Sequence, residues 1–349
     1  MSDTPANPLP PLGRAERRLS DMGEREVARR ATREASHVTA RKLISIVAPA
    51  YNEEAGIEEL CRRLQAVFAE NPGYDFEAVI VENGSHDATL AKLLAVREAD
   101  PRFKILRLAR NFRMDGGITA GLDYVSGDAC VIMTADLQDP PDLITEFLEK
   151  WEQGFDNVYM KVTKRVGTGP VRRLNSQIFY WLVARMTGGV FPRNVSDYRL
   201  VDRKVYETVK GMHERNRFMR GMFYWAGFTG AGIEHERPPR FAGESKAHTL
   251  QVIELAIKGI LSFSYVPLRM ITWLGLLLSG FAFAFLVYIV VRAFVWGVPF
   301  AGFGTIMGVM LLLFGFLFTM LGVVAEYVGL IYDEVKQRPN YIVRDTFGL

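Results

Sequence analysis

Two long apolar stretches dominate the C-terminal third of the chain: Ile271–Val291 runs for 21 residues without a charge, and Ala293–Ala325 runs for 33 more. A helix rises about 1.5 Å per residue and a bilayer core is about 30 Å thick, so about 20 apolar residues make one crossing. The second stretch is too long for one helix and is interrupted at Gly297, Pro299 and Gly302. The pattern predicts a hairpin: a helix near 269–294, a turn around Trp296–Gly302, and a helix near 303–331. Lys258 and Arg269 precede it, Lys336, Arg338 and Arg344 follow it, and only Arg292 lies near the turn. The excess of basic residues on the cytoplasmic side of membrane proteins then places both ends, and the large N-terminal part, in the cytoplasm at the inner (plasma) membrane. Val252, Ile253, Leu255, Ala256, Ile257, Ile260, Leu261 and Phe263 recur with helical spacing beside Glu254 and Lys258. Residues 251–268 therefore read either as helix lying in the membrane interface or as a core helix of the preceding domain.

Ahead of this, residues 42–200 alternate strand-like and helix-like pieces. Leu43–Ala48 is a continuous apolar run stopped by Pro49, and Phe76–Val81, Phe103–Leu108 and Ala129–Met133 are further strand-like runs. Between them, Ile57–Phe68 and stretches near 88–99 and 116–125 have helical character. Short buried strands alternating with helices predict a mostly parallel α/β sheet with ligands at the carboxyl ends of its strands. Residues 1–40 carry Pro5, Pro8, Pro10 and Pro11 and then charges with little apolar period, so a disordered or loosely helical arm is expected. They lack the apolar segment of a cleaved secretory signal.

The net charge of +3 arises in residues 1–42, where nine basic side chains face six acidic ones, and the remainder is balanced. A nucleic-acid binder carries a basic face across its folded body, so that class is not expected. The two cysteines, Cys61 and Cys130, lie in apolar surroundings without zinc-ligand neighbours and read as buried thiols.

Each polar cluster follows a strand. Pro49-Ala50-Tyr51-Asn52-Glu53-Glu54 follows the first, Glu82-Asn83-Gly84-Ser85-His86-Asp87-Ala88-Thr89 the second, and Thr134-Ala135-Asp136-Leu137-Gln138-Asp139 the run near 129–133. Taken singly, Asp87 or Asp139 reads equally well as a helix cap. Together, three successive strand ends converge on one crevice. Asp136 and Gln138 offer hard oxygen ligands for Mg²⁺ or Mn²⁺ bridging a diphosphate. Glu82 and Asn83 can meet a base or ribose edge.

These motifs resemble family 2 glycosyltransferases of the polyprenyl-phosphate type, the group of dolichyl-phosphate mannose synthase and the bacterial undecaprenyl-phosphate glucosyl and aminoarabinosyl transferases. The matching stretches are Val47–Glu54, Arg110–Phe112, Ala120–Tyr124, Ala135–Pro141, Ser196–Leu200, Glu214–Gly221 and Glu236–Lys246, followed by the hairpin. The resemblance implies a GT-A catalytic domain over 41–250, a hairpin over 269–333 and a C-terminal strand or tail over 334–349. It implies transfer of a sugar from a nucleotide-sugar to polyprenyl phosphate, with inversion. It further implies a homotetramer, in which Arg338–Val343 forms a strand against a neighbouring subunit. Donor contacts then fall at Pro49, Tyr51, Glu53, Glu82, Asn83, Ser85, Arg110 and Asp136. Arg165, Arg172 and Ser176 match positions that hold the lipid phosphate; Arg172 and Ser176 stand one helical turn apart. Asp197 is expected to orient groups or assist electrostatically, and Arg217, Arg220, Arg240 and Lys246 to belong to a loop closing over the phosphates. Both basic sets also read as surface charge, the latter near an anionic membrane.

Two positions depart from the pattern: Glu82-Asn83 replaces paired Asp, and Thr134-Ala135-Asp136 replaces Asp-Ala-Asp. The first bears on base choice, the second removes one metal carboxylate. UDP-linked glucose or an N-acetylhexosamine is the first expectation for the donor, ahead of GDP-mannose. A processive polysaccharide synthase would need Gln-x-x-Arg-Trp, and Gln337-Arg338-Pro339 does not supply it. A transporter would need intramembrane charges. A membrane-anchored nucleotide-sugar-binding scaffold with impaired catalysis is the alternative that Thr134 motivates.

Overall fold

The computed structural model describes residues 41–163, 195–238, 265–296 and 302–349. The arm over 1–40, Arg165, Arg172, Ser176, Arg240, Lys246, residues 251–264 and most of the expected turn lie outside the described residues.

In chain order the elements are β1 (Lys42–Ala50), α1 (Ile57–Glu70), β2 (Tyr74–Glu82), α2 (Thr89–Ala99), β3 (Phe103–Leu108), α3 (Arg113–Tyr124), β4 (Ala129–Ile132), α4 (Leu143–Glu152) and β5 (Asn157–Val162). They continue with β6 (Val195–Asp202), α5 (Arg203–Lys210), α6 (Met219–Trp225), β7 (Gly230–His235), α7 (Val266–Trp296), α8 (Phe303–Lys336) and β8 (Val343–Phe347). The eight strands form one sheet in the order β7-β5-β6-β4-β1-β2-β3-β8. β4, β1, β2 and β3 run parallel, while β6 and β8 are antiparallel to their neighbours on either flank. The expectation of a mostly parallel α/β sheet holds, and β3 falls where its apolar run predicts.

The central strands are apolar throughout because helices cover both faces, and the two faces divide by the two-residue period of a strand. Ile44, Ile46, Ala48, Phe76, Ala78, Ile80, Ala129 and Val131 point to one core with Leu60, Leu64 and Phe68 of α1 and Phe147 of α4. Val47, Val79, Val81, Cys130 and Ile132 point to the other with Ile118 and Leu122 of α3 and Met222 of α6. Cys61 and Cys130 are buried and free, and burial pushes the Cys61 thiol up to about 12 and that of Cys130 higher still. α3 approaches β1 closely through glycine: a Cβ on Gly121 would stand 2.3 Å from Val47 Cγ1, and one on Gly117 2.8 Å from Pro49 Cβ. This brings the loop ahead of α3 against the end of β1.

The hairpin helices are longer than the apolar pattern alone predicts, at 31 residues for α7 and 34 for α8. Both are long and apolar enough to cross a membrane, and neither apolar window is buried inside the protein. The C-terminal tail ends in a strand. Val343–Phe347 lies antiparallel on β3 of the same chain, with Ile105 opposite Phe347. Phe347 packs on the first core and Tyr341 and Val343 on the second, and this apolar contact fixes the strand locally.

Gly121→Ala tests the close approach of α3 to β1. Helix propensity alone favours alanine by about 1 kcal/mol, whereas forcing a methyl into a packed core costs about 1–3 kcal/mol. A lowered thermal midpoint of the full chain is expected; an unchanged or raised one would show that Val47 yields without strain.

Candidate active site at the carboxyl ends of β1, β2 and β4

β1 and β2 end level with one another, Ala50 opposite Glu82, so their following loops emerge side by side. The loops are stitched together by backbone amides donating to side chains. Asn52 N donates to Ser85 Oγ at 3.1 Å, His86 N to Asn52 Oδ1 at 2.9 Å, Glu53 N to Thr89 Oγ1 at 2.9 Å and Ala88 N to Glu54 Oε2 at 3.0 Å. Asn52 sits at φ 53°, in the left-handed region that asparagine tolerates better than most residues. The Tyr51 and His86 rings meet edge to face, 6.5 Å apart. Burial opposes the charge of Asp87, but bonds from Thr89 and from Glu54 N outweigh it and hold the carboxyl below its ordinary range. Tyr51, Glu53 and Ser85 thus belong to one braced wall, with Pro49 at its base against α3.

Glu82 and Asn83, expected to meet a base or ribose edge, are both bonded to neighbouring parts of the chain. Glu82 is fully buried; its Oε1 accepts from Ser85 N, and its Oε2 stands 3.3 Å from Arg107 Nε. Asn83 is 3% exposed, donating from Nδ2 to Arg113 O and accepting Phe112 N on Oδ1, each at 2.9 Å. Both side chains spend their polar atoms on the protein and hold the loops after β2 and β3 in place. Gly84 at φ 71° completes this junction, because a Cβ there would lie 2.6 Å from the carbonyl carbon of Arg110. Arg110 itself is exposed and stacks on Phe112 at 4.2 Å, facing the end of α8.

At the end of β4, Thr134 stands between two acids. Its hydroxyl lies 2.7 Å from Asp136 Oδ1 and 2.7 Å from Asp139 Oδ2, and its amide donates to the latter at 2.9 Å. A hydroxyl has one proton, so it donates to one of these carboxyls at a time. Asp139 is fully buried, and burial raises its carboxyl above the ordinary value despite Arg237, whose Nη2 is 3.4 Å from Oδ1. A third carboxylate at position 134 would add like charge to this pair, which gives the threonine a physical reason. Leu137 at φ 59° turns the loop so that Gln138 N donates to Asp136 Oδ1 at 3.1 Å.

β6 lies antiparallel to β4, with Arg199 opposite Ile132, so Ser196 and Asp197 come up beside the Thr134 loop. Arg220 grips Asp197 through two bonds, Nε to Oδ1 at 2.9 Å and Nη2 to Oδ2 at 2.5 Å. Burial works against the Asp197 charge, and Arg220, Arg199 and Arg237 overcome it, holding the carboxyl below its usual range. Arg199 is 1% exposed, donates to the Asp197 and Ser196 carbonyls, and lies over Phe223 and Tyr224. Its Nη1 has no hydrogen-bond partner. Burial disfavours this cation, lowering its pKa, and the two rings offset part of that loss.

Arg217 was expected in a loop closing over the phosphates. It is 7% exposed and donates to Thr119 Oγ1 of α3 and to the Met212 carbonyl, packing beneath α6. Arg220 is already committed to Asp197. Sequence reading passed over Arg199 and Arg237 although both lie in the matched stretches; an arginine inside the strand-like Tyr198–Val201 was the available signal for the former.

Among the described residues no three His, Cys, Asp or Glu side chains gather around a metal position. A divalent ion that arrives with a diphosphate needs only one or two protein carboxylates. Asp136, oriented by Thr134 and Gln138 N, with the Gln138 amide two residues on, fits that mode.

The Asp197–Arg220 pair has a pH signature. The folded carboxyl titrates below its unfolded value, so its contribution to stability is present above about pH 4 and is lost as pH falls through the folded pKa. Asp197→Asn should lower the thermal midpoint at pH 7, with the gap to wild type closing toward pH 3. A gap that stays constant with pH would remove the ion pair as its source.

Comparison with known proteins fits this geometry. Residues 45–220 match the family model "Glycosyl transferase family 2". An uncharacterized glycosyltransferase of Synechocystis is 39% identical over 88% of this chain and 96% of its own length. The SfII prophage-derived bactoprenol glucosyl transferase of Shigella flexneri is 37% identical over 87% of this chain and 98% of its own. A solved glucosyl-3-phosphoglycerate synthase from Mycobacterium tuberculosis, in complex with Mn²⁺ and UDP-glucose, superposes with a TM-score of 0.43 at 18% identity, covering 65% of this chain and 80% of that one. The chain belongs to glycosyl transferase family 2 and is a glycosyltransferase.

Proposed function

We propose that the protein is a membrane-bound, inverting transferase that moves glucose from UDP-glucose to polyprenyl phosphate. The reading rests on a family 2 domain, with Asp136 held by Thr134 after β4 and Asp197 gripped by Arg220 on β6, in a chain that also carries two apolar helices. The bactoprenol glucosyl transferase names of its relatives support glucose and a polyprenyl acceptor. Both helix ends, and the domain, are read as cytoplasmic.

Chemically, an ionised phosphate is already a nucleophile. One of its oxygens forms a bond to the anomeric carbon from the face opposite the bond to the diphosphate, which breaks and leaves with its electron pair. No strong base is required, and Asp197 acts by position and charge. The braced wall of Tyr51, Glu53 and Ser85 receives the nucleotide. Asp136 and Gln138 would hold Mg²⁺ or Mn²⁺, which when bound neutralises charge on the departing nucleoside diphosphate. Arg220 and Arg237, paired with Asp197 and Asp139, are cations available to the phosphates from this side. Arg165, Arg172 and Ser176 are assigned to the acceptor phosphate, and Arg240 and Lys246 to the loop beyond Arg237, on the sequence match alone.

Incubating the purified full chain with labelled UDP-glucose, undecaprenyl phosphate and Mg²⁺ or Mn²⁺ tests this directly. Label should move to the lipid phase, and Asp136→Ala should reduce transfer by at least about 100-fold without changing the unfolding profile. No lipid-linked sugar from UDP-glucose, UDP-N-acetylhexosamine or GDP-mannose would favour a binding scaffold, and near-normal turnover by Asp136→Ala would remove the metal assignment. Separately, Arg172→Ala should raise the lipid requirement far more than the donor requirement; equal rises would place it elsewhere.

A further inference from the structure

Away from the β4 and β6 ends, a cavity of about 220 Å³ opens where the end of α8 meets the catalytic domain. Four cationic side chains line it, Arg110, Arg215, Lys336 and Arg338, against one acid, Asp333, with Phe112 in the wall. None of the four makes an ion pair among the described residues. Arg110 lies over Phe112, and Lys336 lies 4.0 Å from the Tyr332 ring centre. Cations at the end of a helix complement its dipole, which accounts for Lys336 and Arg338. It does not account for Arg110 and Arg215, which come from the loops after β3 and before α6.

The cleft is held in shape. Arg215 N donates to Glu334 Oε1 at 2.7 Å, and Asn340 Nδ2 donates to the Glu214 carbonyl at 3.1 Å, tying the two walls together. The Arg110 backbone is fixed against Gly84. Four cations from three separate segments outnumber the one acid in the lining and repel one another, so a preformed cleft of this kind is complete with an anion in it. Arginine pairs suit phosphate in particular, through bidentate hydrogen bonds. Its place in the fold identifies the source: the charge-free run of α8 closes at Ala325, and the cleft lies beyond it at the emerging end of the candidate span Val309–Lys336.

We propose that this cleft binds the phosphate of an anionic phospholipid headgroup at the membrane surface, a second lipid site separate from that of the acceptor. It rests on the reading that α8 crosses the membrane. Bound there, the lipid ties the C-terminal end of the hairpin to the loop after β3 and sets the catalytic domain's tilt over the bilayer.

The test is native mass spectrometry of the full chain in detergent, titrated with phosphatidylglycerol and compared with the double variant Arg215→Gln, Arg338→Gln. The backbone bond from Arg215 survives that change. Juxtamembrane cations each contribute about 1 kcal/mol toward anionic lipid, so the variant should bind phosphatidylglycerol about 10- to 30-fold more weakly. Phosphatidylcholine binding should not change, and Arg338→Lys should retain most of the affinity. Equal phosphatidylglycerol binding by variant and wild type would overturn the proposal. So would a cleft-dependent affinity for inorganic phosphate equal to that for the lipid, which would make it a free-anion site. A loss of UDP binding in the variant would reassign the cleft to the donor, and selective loss of undecaprenyl phosphate binding would reassign it to the acceptor. Glucosyl transfer measured on the same preparations separates failure of this site from failure of the transferase reading.

Discussion

β1 and β2 stop at the same level, with Ala50 opposite Glu82, and the chemistry of the molecule depends on that register. A shift of one residue would turn every side chain of β2 to the opposite core and carry Glu82 out of reach of Ser85 and Arg107. In register, the loops after both strands become mutual hydrogen-bond partners, so polar residues that would otherwise be solvated and mobile form a rigid wall. The third loop, after β4, is governed by the same sheet: Val47 is opposite Ile132, which brings Thr134 and Asp136 to the same crevice.

The charges within that crevice are arranged as alternating partners. Asp139 faces Arg237, Asp197 faces Arg220, and Arg199 lies beneath them among aromatic rings. Two acids that burial would tend to neutralise are each met by a guanidinium, Asp197 by Arg220 of α6 and Asp139 by Arg237 after β7, while Arg199 of β6 donates to backbone carbonyls. An incoming diphosphate would compete with Asp197 and Asp139 for these arginines, so the cations are prepaired and can change partners without moving far. Removing one partner from such a set leaves a buried charge exposed to desolvation, which is usually more damaging than the loss of the contact itself.

The parallel core, the helices between its strands and the long apolar hairpin were all legible from periodicity, because both faces of the sheet and nearly all of the hairpin are uniformly apolar. β5, β6 and β7 were less legible. β7 alternates exposed and half-buried positions and includes two glycines, Gly230 and Gly232, so its sequence carries little strand signal. The roles of Glu82 and Asn83 were hidden for another reason: a carboxylate and an amide at a strand end look the same whether they meet a ligand or a neighbouring backbone, and only the position of the Phe112–Arg113 turn decides. The bonds of Arg217 to Thr119 and Met212 belong to a packing arrangement that spacing does not reveal. Pairings across about a hundred residues, such as Asp139 with Arg237, have no local signature at all.

β8 has a consequence in time as well as in space. It covers β3, a strand completed some 240 residues earlier in the chain, and it is synthesised only after both long apolar helices. The catalytic sheet therefore remains open along β3 while the hairpin is being made, and a free strand edge is a site for wrong pairing. Closure by β8, with Phe347 and Val343 entering the two cores, is the last step of assembly. A chain that stops short of Val343 would keep its catalytic residues and both apolar helices, yet leave the ribosome with an unprotected edge.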